Sequence, residues 1–386
     1  MGEEFQIKVL FTNNTLDFRS GTELYVRDVA GALVRRGVSV AGFSPRLGAV
    51  AEEMREEGIA VVDRLDDLPF TPDIIHGHHH MEVMKALLRF PSTPAILYCH
   101  GSVPWEETPV AFPRILHYLA VDENNERRLR ETEGIDAGRV TLLPNFVDLD
   151  RFQPRPPLSQ RPRKALLFSS TVNSGKVATV RTACERAGLE LDLLGKISGR
   201  FTPHPERELG RYDLVFAKGR AALEALAVGT AVIVMDLGKL GPMVSGDNLD
   251  RLRGLNFGLY TLEHDLTAEN LVREIECYDA ADARAVHERV RREAGLELIV
   301  GQLMRIYQSV IDEFARMPPQ HQAEMQAAAR YLEWLIPLLR KHAEDLDAEV
   351  RELNSSLTMR LRRRMLSNPV TARMARSIVL LLRRWS

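Results

Sequence analysis

The chain has 386 residues, of which 45% are hydrophobic and 27% charged, with a formal charge of −2. That length accommodates two domains of ordinary size and an extra element, and the composition is that of a soluble globular protein. A near-neutral total gives no basis for nucleic acid as the main partner.

In chain order, short apolar runs alternate with helical patterns. Ile7–Phe11 reads as a buried strand, followed by a polar turn through Asn13, Asn14 and Arg19. Ser20-Gly21-Thr22-Glu23 has capping-box spacing and predicts a helix through Leu24, Val29 and Leu33 that stops at Gly37. Val38–Phe43 is the next strand, then a helix near Ala49–Glu57 and a strand at Ile59–Val62. Asp73–His76, Ala95–Cys99 and Leu116–Val121 complete the series. Strands alternating with helices imply parallel pairing in a doubly wound sheet.

Gln153-Pro154-Arg155-Pro156-Pro157, continuing to Arg161-Pro162, is too rich in proline for a helix or strand interior and marks a linker. The alternation then restarts. Strands are expected at Ala165–Ser169, Leu191–Leu194, Asp213–Ala217 and Ala231–Met235, with helices at Gly175–Ala187 and Gly219–Val228. Helices fill Ala268–Asp279, Ala281–Ala294 and about Glu297–Arg316, and Pro318-Pro319 ends the lobe. The expected organisation is a first lobe over 1–153, a second over 162–317 and a helical tail over 318–386.

The tail is chemically distinct. Met325, Ala328, Leu332, Leu335, Leu339, His342 and Leu346 follow 3/4 spacing, a seam for a homodimer through 319–357 or for packing on the body, with Pro337 as an interruption. Met359–Ser386 holds eight arginines and no acid, leaving −10 on the remainder. Its apolar face (Val370, Met374, Ile378, Leu381, Leu382, Trp385) beside Arg373, Arg376, Arg383 and Arg384 is the pattern of an interfacial helix on an anionic membrane. The alternative is a helix docked on the acidic body. Cys99, Cys184 and Cys277 lie far apart without a CxxC, as in a reducing compartment. The acidic start MGEEFQIKVLF is unlike a signal peptide, and no apolar run approaches the ~20 residues of a spanning helix. The expected location is the cytoplasm, peripheral on the inner face of the membrane.

Chemistry concentrates in Tyr212–Asp236. A buried strand through Leu214, Val215 and Phe216 runs into Lys218-Gly219-Arg220, where a helix starts. A helix N-terminus offers unpaired N–H groups and a positive dipole end to a diphosphate, Gly219 permits close approach, and Lys218 and Arg220 add charge. Glu224, one turn in, can accept from ribose hydroxyls. An ordinary βαβ unit with solvated Lys and Arg has the same spacing. His76, His78, His79 and His80 are consecutive enough to point in different directions and lack an accompanying CxxC or carboxylate pattern, so no metal is expected.

Glu224-Ala225-Leu226-Ala227-Val228-Gly229-Thr230-Ala231-Val232-Ile233 resembles the donor-site segment of retaining GT-B glycosyltransferases of family 4 (group 1), whose pattern is two Glu separated by seven residues and then AMAxGxPVI. Asp73-Ile74-Ile75-His76-Gly77-His78 is similar to that family's DxxHxH strand end, and Tyr98-Cys99-His100-Gly101 to its TxHG turn. Pro144–Phe152 is similar to its PNGVDxxxF segment, and the turn at Gly21 to its Gly-rich first turn. The resemblance implies two Rossmann-like lobes in an α/β GT-B fold. It also implies that Glu224 contacts the donor ribose, that His100 reaches the reaction centre, and that Gly21, Lys176, Lys218, Gly219 and Arg220 surround the donor. His76 and His78 fall on the acceptor side. The departure is Phe216, which stands where the first Glu is expected, and Arg220 becomes the candidate to replace an Arg missing near Ser169.

The implied reaction moves a sugar from a nucleoside-diphosphate sugar to a glycan or lipid-linked acceptor, with retention, in cell-surface polysaccharide or glycolipid synthesis. No cofactor beyond the donor substrate is expected. The competing readings are a nucleotide-sugar 2-epimerase, for which no convincing proton-transfer set is present, and a non-catalytic scaffold, favoured by Phe216.

Overall fold

The computed structural model describes residues 7–169, 174–195, 202–236 and 238–355. The basic stretch 359–386, expected to meet a membrane, lies outside them.

The first lobe runs β1 (Lys8–Thr12), α1 (Gly21–Arg35), β2 (Ser39–Phe43), α2 (Ala49–Glu56), β3 (Ala60–Val62), β4 (Ile74–Gly77), α3 (His80–Arg89), β5 (Ala95–Cys99), β6 (Ile115–Ala120), α4 (Glu123–Glu131) and β7 (Val140–Leu142). Its seven strands pair in parallel in the order β3-β2-β1-β4-β5-β6-β7. Chain order reverses between β1 and β4, so the crevice beyond their C-terminal ends is where such sheets bind ligands.

The second lobe runs β8 (Lys164–Phe168), α5 (Ser174–Arg186), β9 (Glu190–Leu194), α6 (Glu206–Leu209), β10 (Leu214–Ala217), α7 (Gly219–Val228) and β11 (Ala231–Asp236). It continues through β12 (Lys239–Met243), α8 (Leu249–Gly254), β13 (His264–Asp265), α9 (Ala268–Glu276), α10 (Ala280–Glu293) and α11 (Leu296–Arg316). The sheet order is β13-β12-β11-β10-β8-β9, with β12 and β13 antiparallel at one edge. Its reversal falls between β8 and β10, beside Ser169 and Lys218. These two doubly wound lobes realise the α/β architecture expected from the alternation.

Three local expectations are revised. Ser20 is the N-cap of α1 in an extended conformation, yet its side chain makes no capping bond. Glu23 instead is buried and accepts from the Thr22 hydroxyl at 3.1 Å, so the capping box is not closed. The second revision concerns α11, which the sequence groups with residues 162–317. Its apolar stripe of Leu296, Ile299, Val300, Leu303, Tyr307 and Val310 packs into the core of the first lobe. Arg36 and Arg139 of that lobe pair with Glu297 (2.6 Å) and Glu313 (2.7 Å) along it. A helical pattern in the sequence carries no information about which sheet covers its apolar stripe.

The third concerns the tail. Gln320–Ser355 belongs to a unit apart from the lobes, in which α12 (His321–Ser355) is one helix of 35 residues that continues through Pro337. Proline removes one backbone donor and crowds the preceding turn, but the turns on either side carry the helix across. Met325, Leu332, Leu339 and Leu346 of the heptad-like seam are exposed.

Candidate active site

The four histidines after Ile75 each have a different neighbour. His76, inside β4, is fully buried with Nδ1 hydrogen-bonded to the Tyr307 hydroxyl at 2.6 Å. His78 follows the strand, its N–H donating to Thr12 O at 3.2 Å and its Nδ1 lying 2.7 Å from His100 Nε2. The rings of His76, His78 and His100 stack, with centroids 4.7 and 4.9 Å apart, against Tyr25 and Tyr98. His79 caps α3 and accepts the Asn14 N–H at Nδ1 (3.2 Å). His80 packs edge-on against Trp105.

Burial alone lowers His76 to about 3. Burial, then the neighbouring histidines, holds His78 and His100 well below the ordinary imidazole value. All three are therefore neutral at physiological pH and act as donors and acceptors rather than cations. His100 is half-buried, whereas His76 and His78 are buried. In this arrangement the two residues expected on the acceptor side form the support behind His100 and offer no surface to an acceptor. Among the described residues, no three His, Cys, Asp or Glu are placed to hold a metal ion.

On the second lobe, Lys218 is the N-cap of α7 and pairs with Asp236 at the end of β11. Ser169, after β8, reaches Asp236 Oδ1 at 3.4 Å. Lys176, in the first turn of α5, lies against Gly238, where a Cβ would fall 2.7 Å from its Nζ. Gly238 also has φ +82°, so that position takes glycine for conformation and for space. Lys176, Lys218 and Asp236 thus gather at the ends of β8, β10 and β11, where the dipole of α7 also points.

Gly219 has φ +55°, but its N–H donates to Phe257 O at 2.8 Å. The glycine expected to offer its amide to a phosphate instead ties α7 to the Asn256–Phe257 turn, itself left-handed at φ 55° and 48°. Gly21, at the start of α1, is exposed with nothing within 4 Å of a Cβ position.

Arg220 departs furthest from expectation. Its guanidinium pairs with Asp28 of α1 across the crevice and donates from Nε to Glu224 Oε1 at 2.8 Å. Arg27 Nε bonds Asp28 at 2.9 Å, and Arg151 lies 3.7 Å from it. Burial opposes ionisation of Asp28, but Arg220, Arg27 and Arg151 outweigh it and hold its pKa below the ordinary value. For Arg220 burial is likewise outweighed, by Asp28 and Glu224, so it stays charged. The cation expected to supply a missing phosphate contact is therefore committed to an interlobe ion pair, and Glu224, expected to face the ribose, serves as its second partner.

The lobes meet elsewhere along the crevice. Asn145 Nδ2 donates to Asn256 Oδ1 at 3.0 Å, and Ser102, two residues after His100, lies 3.5 Å from the Tyr260 hydroxyl. His100 and the lysine cluster therefore belong to facing rims. Phe216, where the family pattern has a glutamate, is fully buried among Leu167, Leu214, Ile233 and their neighbours.

Sequence reasoning missed Glu107. It is buried, and Oε2 accepts the His100 N–H at 3.0 Å. Burial pushes its pKa up to about 8, against the pull of the His100 and Gly101 amides. Nothing in Pro104-Trp105-Glu106-Glu107 marks the second glutamate as the buried one. Asp236 was also missed; as the last residue of an apolar strand it is a usual site for a crevice-facing acid.

Two Rossmann-like lobes facing one another across a crevice define the GT-B class of fold. In keeping with that, residues 61–151 match the model of Glycosyltransferase Family 4. No curated protein matches the chain. Solved structures do. A glycosyltransferase from Rickettsia africae superposes with a TM-score of 0.59 at 15% identity, over 80% of this chain and 99% of that one. HepE from Anabaena, in complex with UDP, superposes with a TM-score of 0.53 at 15% identity, over 79% and 100%. The chain resembles GT-B glycosyltransferases in fold throughout both lobes.

Proposed function

We propose that this protein transfers a sugar from a nucleoside-diphosphate sugar to a glycan or lipid-linked acceptor in the synthesis of a cell-surface polysaccharide or glycolipid. The observation that carries this reading is the pair Lys176 and Lys218 at the switch point of the second sheet, with half-buried His100 at a strand end of the other lobe. UDP in HepE, a protein of the same fold, is in keeping with it.

In this reading Lys176, Lys218 and the α7 dipole stabilise the departing diphosphate, the charge that develops as the glycosidic bond breaks. His100 contacts the sugar as a neutral imidazole, and no cofactor besides the donor is needed. Retention of configuration follows from the family resemblance. The exposed seam of α12 forms a homodimer contact, and residues 359–386 hold the protein on an anionic inner membrane face; no helix among the described residues is long and apolar enough to cross one.

The test is a turnover screen of the full chain with UDP-, GDP-, ADP- and dTDP-sugars plus a bacterial lipid extract, with and without phosphatidylglycerol vesicles. Release of one nucleoside diphosphate with labelled sugar moving to lipid or glycan is the expected result, with the protein co-sedimenting with the vesicles. Nucleotide binding without turnover would favour a scaffold, and a failure to sediment would remove the membrane proposal.

A further inference from the structure

The carboxyl of Glu107 is buried, and Arg128, whose charge acts on it, bonds from Nη1 to Gly101 O at 3.1 Å. A buried carboxyl without an ion-pair partner is costly, so what it holds is informative. Its Oε2 accepts the backbone N–H of His100 and it also bonds that of Gly101. Two consecutive amides converging on one carboxyl fix both peptide planes, and with them the direction in which the His100 side chain leaves the strand.

The other oxygen faces His79. Because His79 Nδ1 accepts the Asn14 N–H, the ring proton belongs on Nε2, which lies 3.8 Å from Glu107 Oε1. Asn14 follows β1, and His78, the ring partner of His100, is itself tied to Thr12 at the end of β1. The short 3-10 turn Trp105–Glu107 that carries the carboxyl is anchored in turn by His80, which bonds the Trp105 backbone.

We infer that Glu107 is a positioning residue for His100. Through its two amide bonds it holds the His100–Gly101 turn, with His79 packed between that turn and the Asn13–Asn14 turn on the other side of the first sheet's switch point. This inference rests on the glycosyltransferase reading for its kinetic consequence, but the geometry can be tested without it.

Glu107→Ala and Glu107→Gln in the full chain decide the matter. Gln keeps a carbonyl for the two amides, whereas Ala leaves none. In histidine-labelled protein, His100 of the wild type and of E107Q should show no titration between pH 5 and 8. In E107A, released from its stack, it should titrate near the ordinary imidazole value of about 6.5. With the sugar nucleotide found to be hydrolysed in the turnover screen, E107A should lose roughly tenfold or more in kcat with KM shifted less than about threefold, and E107Q should recover most of it. A His100 that stays untitrated in E107A overturns the inference, as does an equal loss of kcat in both variants. If the wild type turns over no sugar nucleotide, the functional reading fails and the titration alone decides the positioning role. E107A leaves the two amides without a side-chain acceptor, which costs stability, so the titration is made under conditions where thermal unfolding shows the variant folded.

Discussion

Arg220→Ala is expected to lower stability by about 3 kcal/mol while leaving nucleoside-diphosphate affinity within about threefold of the wild type. Asp28 has about 5% of its side chain exposed, so it cannot recover hydration when its partner is truncated. Arg27 and Arg151 remain beside it, which places the cost at the lower end of the range for a broken buried pair. Glu224 also loses its 2.8 Å donor. Urea unfolding of the two proteins measures the first quantity and calorimetric titration with UDP the second. A double-mutant cycle with Asp28→Asn separates the interlobe pair from the contribution of Glu224. Unchanged stability with a tenfold or larger loss of UDP affinity would return Arg220 to the diphosphate and contradict the interlobe assignment.

Phe216→Glu should be at least as severe, costing about 4 kcal/mol or more. Position 216 looks, from the family pattern, like the place of a sugar-contacting carboxylate. In the structure it lies inside β10, in register with Ile233 and Leu167 of the flanking strands, and is fully buried. A carboxyl there would lose the ring's packing and either ionise without solvent or stay protonated without partners. The conservative Phe216→Leu should cost only about 1 kcal/mol. Thermal unfolding of both variants checks this. An F216E protein as stable as the wild type, with faster sugar transfer, would show instead that the position reaches the crevice.

The alternation of apolar runs and helical patterns made both lobes legible, and Ala95–Cys99 and Gly219–Val228 were predicted at their observed bounds. β7, β12 and β13 were not predicted, for they are two to five residues long and carry little period of their own. The histidine run was expected to face different ways, which holds for His79 and His80, whereas the His76 and His78 rings stack on one side. Its partners were not legible, since Tyr307 is 231 residues from His76 and Asn14 is 65 from His79. Arg220 illustrates the same limit. Its bond to Glu224 follows from i,i+4 spacing on one helix, but Asp28 is 192 residues away, and it is Asp28 that changes the role of the arginine. Glu107 left no signal, because a buried carboxyl is defined by what closes over it.

The central claim is that Lys176 and Lys218, beside Asp236, form the diphosphate subsite of a nucleotide-sugar crevice. Calorimetric titration of the full-length wild type and of Lys218→Ala with UDP, GDP, ADP and dTDP tests it most directly. The account predicts that the wild type binds at least one of them with a Kd in the range of roughly 1 μM to 1 mM, and that Lys218→Ala weakens it about tenfold or more. Binding unchanged by Lys218→Ala, or no binding of any of the four by the wild type, would contradict it.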